Sequence, residues 1–125
     1  MLDKIKIIAA QLSDLLDIHD IETAVYPSHL AENPEVLASR IHLAPDFCGV
    51  AKLGHQCVGY VLAHPWTDHS SPGLENTLEV IPKHADVIHL HDLAVLPVAQ
   101  GAGVARMLLA WLDQRVTEHG FKTIT

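Results

Sequence analysis

The sequence has few aromatic residues, few positive charges and no long apolar run. Aromatic residues make up 5% of its 125 residues and hydrophobic residues 49%, so we expect a core built mainly from aliphatic side chains. Eight Lys and Arg against 15 Asp and Glu give a net charge of −7, which argues against nucleic acid or an anionic membrane as a partner. No apolar stretch approaches the roughly 20 residues of a membrane span, and no signal peptide is visible. We expect one domain over residues 1–125.

Cysteine is also scarce, with two residues in a predicted β-hairpin over residues 47–63. With a two-residue turn, Lys52 faces Cys57 and Cys48 faces Val61. That register places the two thiols several residue pairs apart, which is too far for a disulfide. We therefore expect reduced, structural cysteines and a cytoplasmic protein.

Hydrophobic periodicity and helix-boundary residues predict the element order β-α-α-β-β-β-α-β. Ser13 and Asn33 are the predicted N-caps of the first two helices, and Gly120 is placed to end the third. The buried side of the first helix is expected to carry Leu15, Leu16, Ile18 and Ile21. The predicted strands cover residues 5–9, 47–53, 56–63 and 87–96, with a last strand from 121; the predicted helices cover 13–24, 33–45 and 104–119, with a short one after Ser71.

The most informative segment is residues 95–109, where a predicted strand leads through a loop of small residues into a helix. A turn with few side chains at a helix start exposes backbone N–H groups, which bind phosphate oxygens with help from the helix dipole. The loop is not a G-x-G-x-x-G motif, because Arg106 stands where the third glycine belongs, and it lacks the Lys-Ser/Thr of a P-loop. The segment indicates a diphosphate site; the alternative is a glycine-rich turn in an ordinary α/β unit.

Gln100, Gly103 and Ala105 match every specified position of Q/R-x-x-G-x-G/A, and in this the chain resembles the acetyl-coenzyme A loop of the GNAT N-acetyltransferases. Residues 93–95 followed by Pro97 look like that family's strand four and its exit. The resemblance covers essentially the whole chain. It implies an α/β (α+β) fold with a mixed, mostly antiparallel sheet flanked by helices, and acetyl transfer from acetyl-CoA to an amine by direct attack, without a metal.

In the same resemblance, the pantetheine arm of the coenzyme pairs with the open edge of strand four, as an added strand would. Leu93 and Val95 would supply the backbone hydrogen bonds, and the loop would hold the diphosphate. For Arg106, a charge-assisted contact and a solvated first-turn arginine stay open as alternatives. The expected cofactor-binding residues are Leu93, Ala94, Val95, Gln100, Gly101, Ala102, Gly103, Val104, Ala105 and Arg106.

His89 and His91 lie two residues apart on strand four, so they are expected to share one face. An amine with a pKa of about 10 is protonated at neutral pH, and histidine suits the removal of that proton. The segment 89–95 is similar to strand four of serotonin N-acetyltransferases, which have alanine in place of Asp92 and both histidines in the proton path. The resemblance makes His89 and His91 candidate general bases. The alternatives are histidines that line the cleft or bind the core, or half of a metal site with His84. Alternation puts Asp92 on the opposite face, in a structural role.

A GNAT domain normally continues past its fifth strand into a helix and two strands, which commonly carry a tyrosine that acts as general acid. This sequence ends at Thr125, so truncation, cleavage or completion by another polypeptide are all compatible with it. Acidic residues between 67 and 86 favour a cationic amine, although a solvated loop has the same composition. The rival functions are a non-catalytic module that binds (acetyl-)CoA and a domain for assembly. The acceptor, a small-molecule or peptide amine, and the oligomeric state, including a homodimer, stay open.

Overall fold

In the part of the chain that the structure describes, four strands form one antiparallel sheet in the order β1-β2-β3-β4, so each strand pairs with its neighbour in sequence. The structure is a computed structural model that describes residues 4–28, 32–67 and 80–125. The strands are β1 (Ile5–Ala9), β2 (Cys48–Leu53), β3 (Gln56–Trp66) and β4 (Val87–Val95). The helices are α1 (Leu15–Val25), α2 (Pro34–Leu43) and α3 (Val104–Glu118). The short helix expected after Ser71 lies outside the described residues.

Helices cover both faces of the sheet, as the predicted α/β class requires. The core under α3 contains Val61, Ala63, Ile88, Val95, Val104, Leu108 and Leu112. The core under α1 and α2 contains Ile18, Ile21, Leu37, Ile41, Val50, Tyr60 and Leu62. Because consecutive side chains of β3 point to opposite faces, its central residues belong to the two cores in turn. Both cores are mainly aliphatic, as the composition predicts.

The β2–β3 hairpin carries both cysteines, and a bulge alters its register. Lys52 faces Cys57, as the sequence predicts. Cys48 faces Leu62 rather than Val61, because the register shifts by one residue at the bulge beside Lys52. Both thiols are free and buried. Burial raises the pKa of Cys57 and raises that of Cys48 to about 12, so both thiols stay protonated and unreactive.

The helix starts differ in how well the sequence predicts them. Asn33 caps α2 as expected, with its Oδ1 accepting a hydrogen bond from the backbone N–H of Glu35 at 2.9 Å. Ser13 does not cap α1: it lies inside a 3-10 turn, and α1 begins at Leu15. At about 100° per residue, Leu16 lies on the side of α1 opposite Ile18 and Ile21, so its side chain is 75% exposed instead of buried. None of the described helices is long and apolar enough to cross a membrane.

The last described residues return to β4 but form only a bridge with it. Gly120, with φ of +83°, ends α3 in the left-handed conformation expected of a helix C-cap glycine. Ile88 then donates a backbone hydrogen bond to Thr123 at 2.9 Å and accepts one from Thr125 at 2.8 Å. In place of the strand expected from residue 121, the structure has this parallel bridge. Among the described residues, no strand pairs with that edge of β4 beyond Ile88.

Candidate active site

A second bulge, in the middle of β4, decides which way the polar side chains of this strand face. Leu62 on β3 faces Asp92, whereas the next residue, Ala63, faces Leu90, so His91 is an extra residue on β4. Two residues of a bulged strand oppose one residue of its partner, and strict alternation is lost. The side chains of His91 and Asp92 therefore both lie on the face covered by α1 and α2. The prediction that Asp92 faces away from the histidines is wrong, since it assumed alternation without a bulge.

His91 makes a short contact with a carboxylate from the segment before α2. Its Nε2 lies 2.6 Å from Oε1 of Glu32, and the two side chains are 1% and 3% exposed. The backbone N–H of Glu32 donates to Oε1 of Glu22 on α1 at 3.0 Å. In the described part of the chain, Nδ1 of His91 is buried and has no hydrogen-bond partner. The ring of His91 is thus held at one nitrogen only.

Asp92 is held by two tyrosine hydroxyls. Tyr60 donates to Oδ2 at 2.6 Å, and the hydroxyl of Tyr26 lies 2.9 Å from Oδ1. Burial raises the pKa of Asp92, although both hydrogen bonds oppose this by stabilising the charged form. Burial and the nearby carboxylate also raise the pKa of Tyr26 to about 12, so it remains a donor. Oxygens of Asp92, Glu22 and Glu32 lie within 4.8 Å of one another, and we call these three residues the carboxylate cluster. Within residues 4–28, 32–67 and 80–125, it is the one group close enough to share a metal ion.

Two further histidines extend this polar region along the sheet. His89 faces His64 on β3, with ring centroids 5.4 Å apart, and the His89 and His91 rings are 6.4 Å apart. Burial lowers the pKa of His64 to about 4. Burial, followed by the charges of His91 and Arg40, lowers the pKa of His89 as well. At neutral pH both His64 and His89 are therefore neutral, and His89 has a lone pair with which to accept a proton.

Sequence reasoning found the two histidines of β4 but missed their partners. Glu22 follows Ile18 by four residues on α1, so helical periodicity places it on the buried face. Tyr60 lies two residues before Leu62 on β3 and His64 lies two residues after it, so alternation places both on the face of Leu62. A buried glutamate and tyrosine in such positions need polar partners, and this requirement was the signal available in the sequence. Glu32 offered no such signal, because it lies outside every periodic segment.

At the other end of β4, the chain passes through the small-residue loop into α3. Gly101 and Gly103 have φ of +82° and +84°, in the left-handed region that favours glycine. The backbone N–H of Met107 donates to the carbonyl of Gly103 at 3.1 Å, which is the first hydrogen bond of the helix ladder. The N–H groups of residues 104–106 precede it and have no acceptor within the helix. The start of α3 therefore presents unpaired donors at the positive end of the helix dipole.

This loop borders a cavity of about 610 Å³. Of the ten expected cofactor residues, those that line the cavity are Val95, Gln100, Gly101, Gly103, Val104, Ala105 and Arg106. Ala102 packs instead against the core under α3, and Leu93 and Ala94 lie earlier on β4. The Nε2 group of Gln100 donates to the carbonyl of Val95 at 2.9 Å, so this side chain also ties the loop to the end of β4.

A sequence model of the acetyltransferase (GNAT) family matches residues 15–125, which is most of the chain. The chain belongs to the GNAT family. The match includes β4, the loop and α3, and it therefore agrees with the resemblance seen in residues 93–105. No curated protein sequence matches the chain.

Solved structures share this GNAT fold at low sequence identity. The loading GNATL domain of CurA from Lyngbya majuscula has a TM-score of 0.78 at 20% identity, over 96% of this chain and 62% of that one. The GNAT-like decarboxylase GphF, in complex with isobutyryl-CoA, has a TM-score of 0.73 at 20% identity, over 89% of this chain and 58% of that one. The diaminobutyrate acetyltransferase EctA from Paenibacillus lautus, in complex with its substrate and coenzyme A, has a TM-score of 0.73 at 16% identity, over 96% of this chain and 63% of that one. The chain thus spans about three fifths of the length of these structures.

Proposed function

We propose that this GNAT domain transfers an acyl group, and specifically acetyl, from acyl-CoA to a primary amine. The observation that carries the proposal is the loop of residues 100–106, with its two left-handed glycines, unpaired helix-start donors and adjoining cavity of about 610 Å³. A dinucleotide-like diphosphate needs such donors, and a Cβ at Gly103 would hinder the approach of its oxygens to the backbone.

The coenzyme would extend from this loop along the free edge of β4. Its diphosphate would bind the N–H groups of residues 104–106. Its pantetheine carbonyls would accept hydrogen bonds from the backbone N–H groups of Leu93 and Val95, whose own carbonyls already accept from Tyr26 and Gln100. His91 precedes Val95 by four residues, which corresponds to about 13 Å along a strand. The thioester would then lie beside the bulge of β4, between the coenzyme loop and the carboxylate cluster.

The polar face under α1 and α2 suits a cationic acceptor. Three carboxylates lie together there, and their negative field attracts an ammonium group. We propose that His89 and His91 serve proton removal: a neutral ring nitrogen accepts a proton from the ammonium group, and the amine nitrogen then attacks the thioester carbonyl carbon. A backbone N–H of β4 polarises the carbonyl oxygen while the carbon–sulfur bond breaks and its electron pair leaves with the coenzyme A thiolate. The acylated nitrogen then gives up its second proton, and the thiolate takes up a proton to become the coenzyme A thiol.

Two other activities are compatible with the fold. Decarboxylation, which the name of GphF reports for that protein, would require an acyl group that carries its own carboxylate. The carboxylate cluster would repel such a group, and for this reason we favour the amine. A non-catalytic module that binds (acetyl-)CoA would need the loop and the edge of β4, but it would have no use for neutral histidines beside them.

The proposal can be tested by calorimetry and then by turnover. Titration with coenzyme A and acetyl-CoA is expected to give saturable binding, and absence of binding would refute both transfer and the binding module. Thiol release is then measured over a panel of amines, and release of CO2 from a carboxyacyl-CoA is measured in parallel. Binding without thiol release would leave the non-catalytic module, and release of CO2 alone would establish decarboxylation. Unchanged turnover and pH profile in H89A and H91A would contradict the proposed base.

A further inference from the structure

The contact between Glu32 and His91 is more specific than a general field of negative charge. Their atoms lie 2.6 Å apart, and both side chains are almost completely buried. A carboxylate is an acceptor only, so a hydrogen bond of this length requires a proton on Nε2 of His91. In a neutral imidazole the other nitrogen, Nδ1, then carries the lone pair.

We propose that Glu32 is a positioning residue that fixes the tautomer of His91, so that Nδ1 is available as a proton acceptor. Nδ1 is buried, and among the described residues no hydrogen-bond donor occupies its lone pair. A carboxylate on one ring nitrogen also stabilises the imidazolium that forms when the other nitrogen takes up a proton. The consequence for catalysis rests on the proposed acyl transfer, whereas the tautomer does not.

Glu32 is itself held in place by its surroundings. Its backbone N–H is bonded to Glu22, which α1 carries into the interior. Burial lowers the pKa of Arg40 on α2, whereas the charge of Glu32 opposes this shift, so Arg40 and Glu32 attract each other. Because two helices position it, Glu32 can orient the imidazole although it belongs to neither helix. Titratable and charged groups surround His91 on both the helix side and the sheet side. From the helices and the segment before α2, they are Glu22, Arg40 and Glu32. From the sheet, they are Asp92 and His89 on β4 and His64 on β3.

The tautomer can be measured without turnover. Nitrogen-15 NMR of the imidazole rings, assigned with H91A, is expected to show His91 protonated at Nε2 in the wild-type protein. In E32A the same ring is expected to become a mixture of tautomers. Protonation of His91 at Nδ1 in the wild-type protein would overturn the inference, whatever the protein catalyses. The Nε2 tautomer in a protein without turnover would support the inference and refute the proposed function.

Kinetics tests the role of that tautomer. E32Q is nearly isosteric, and we expect it to lower kcat by about 10- to 100-fold, with little change in the KM for acyl-CoA. E35Q removes the same charge from the exposed start of α2 and should change kcat by less than about twofold, as distant surface changes do.

A double mutant separates action through His91 from a general effect on the fold. If Glu32 acts through His91, adding E32Q to H91A should lower kcat by less than about twofold more, since changes in one interacting pair are not additive. Full additivity of the two losses would show that Glu32 is structural and would overturn the inference.

Discussion

His64 is a fully buried base, and we predict that it makes the protein sensitive to acid. It is 0% exposed, and its Nδ1 lies 3.0 Å from the carbonyl of Pro65. Burial lowers its pKa from 6.5 to about 4, so the unfolded chain takes up a proton that the folded chain excludes. One pKa unit corresponds to about 1.4 kcal/mol, and full protonation of the unfolded state therefore lowers the free energy of unfolding by about 3 kcal/mol.

The sign of this effect fixes the pH range. The stability that depends on neutral His64 is fully present above pH 6.5 and is lost as the pH falls toward 4, where the folded protein also becomes protonated. The perturbation is His64→Asn, which keeps a donor near Nδ1 but does not titrate. H64N should be less stable than the wild-type protein at pH 7, by about 1–3 kcal/mol, because it leaves a cavity.

Urea denaturation at several values between pH 7 and pH 4 measures both effects. Between pH 7 and pH 4, the free energy of unfolding of H64N should fall by about 3 kcal/mol less than that of the wild-type protein. His55→Asn is the matched control, because His55 lies exposed in the β2–β3 turn, and its curve should run parallel to that of the wild-type protein. Coincident slopes for H64N and wild type would refute the reasoning, since the acid sensitivity would then come from other groups.

Three further predictions concern the loop of residues 100–106 and the carboxylate cluster. G103A and G101A should each lose about 1 kcal/mol of stability, because both positions have positive φ. In calorimetry, G103A should lose more coenzyme A affinity than G101A, about tenfold. Equal losses of affinity would contradict the role of the helix start. Q100A should free the loop from the end of β4 and weaken coenzyme A binding by about 5- to 10-fold, and unchanged affinity would exclude this. Y60F removes the 2.6 Å hydrogen bond to Asp92 and should lower the free energy of unfolding in urea by about 1.5–3 kcal/mol, whereas wild-type stability would mean that the bond contributes nothing.

Much of the fold could be predicted from local features of the sequence. Asn33 followed by proline gives the start of α2, and Gly120 gives the end of α3, because capping depends on residues next to one another in the chain. The turn of small residues that leads into α3 was predicted for the same reason, whereas its binding of a coenzyme stays a prediction. Leu16 was placed wrongly because, at about 100° per residue, it lies on the side of α1 opposite Ile18 and Ile21, so helical periodicity itself argues against its burial.

The candidate site was harder to predict, because its contacts join distant parts of the chain. Glu32 and His91 are 59 residues apart, and Tyr26 and Asp92 are 66 apart. Such pairs depend on how α1 and the segment before α2 are packed on β4. Spacing within one element does not specify that packing. The residue types therefore indicated the chemistry on β4, whereas the partners required the tertiary structure.

The bulge in β4 is a different case, because its signal was present in the sequence. The apolar residues of this strand that pack under α3 are Ile88, Leu90, Leu93 and Val95. A regular strand places residues two apart on one face, so the step of three from Leu90 to Leu93 needs one extra residue between them. Without the bulge, Ile88 and Leu90 would lie on one face of the strand, and Leu93 and Val95 on the other. One of the two pairs would then leave the core under α3, and if Leu93 stayed, His91 would enter the core beside it. Burying four apolar side chains on one face thus turns His91 and Asp92 together toward α1 and α2, and the same packing that completes the core assembles the polar site.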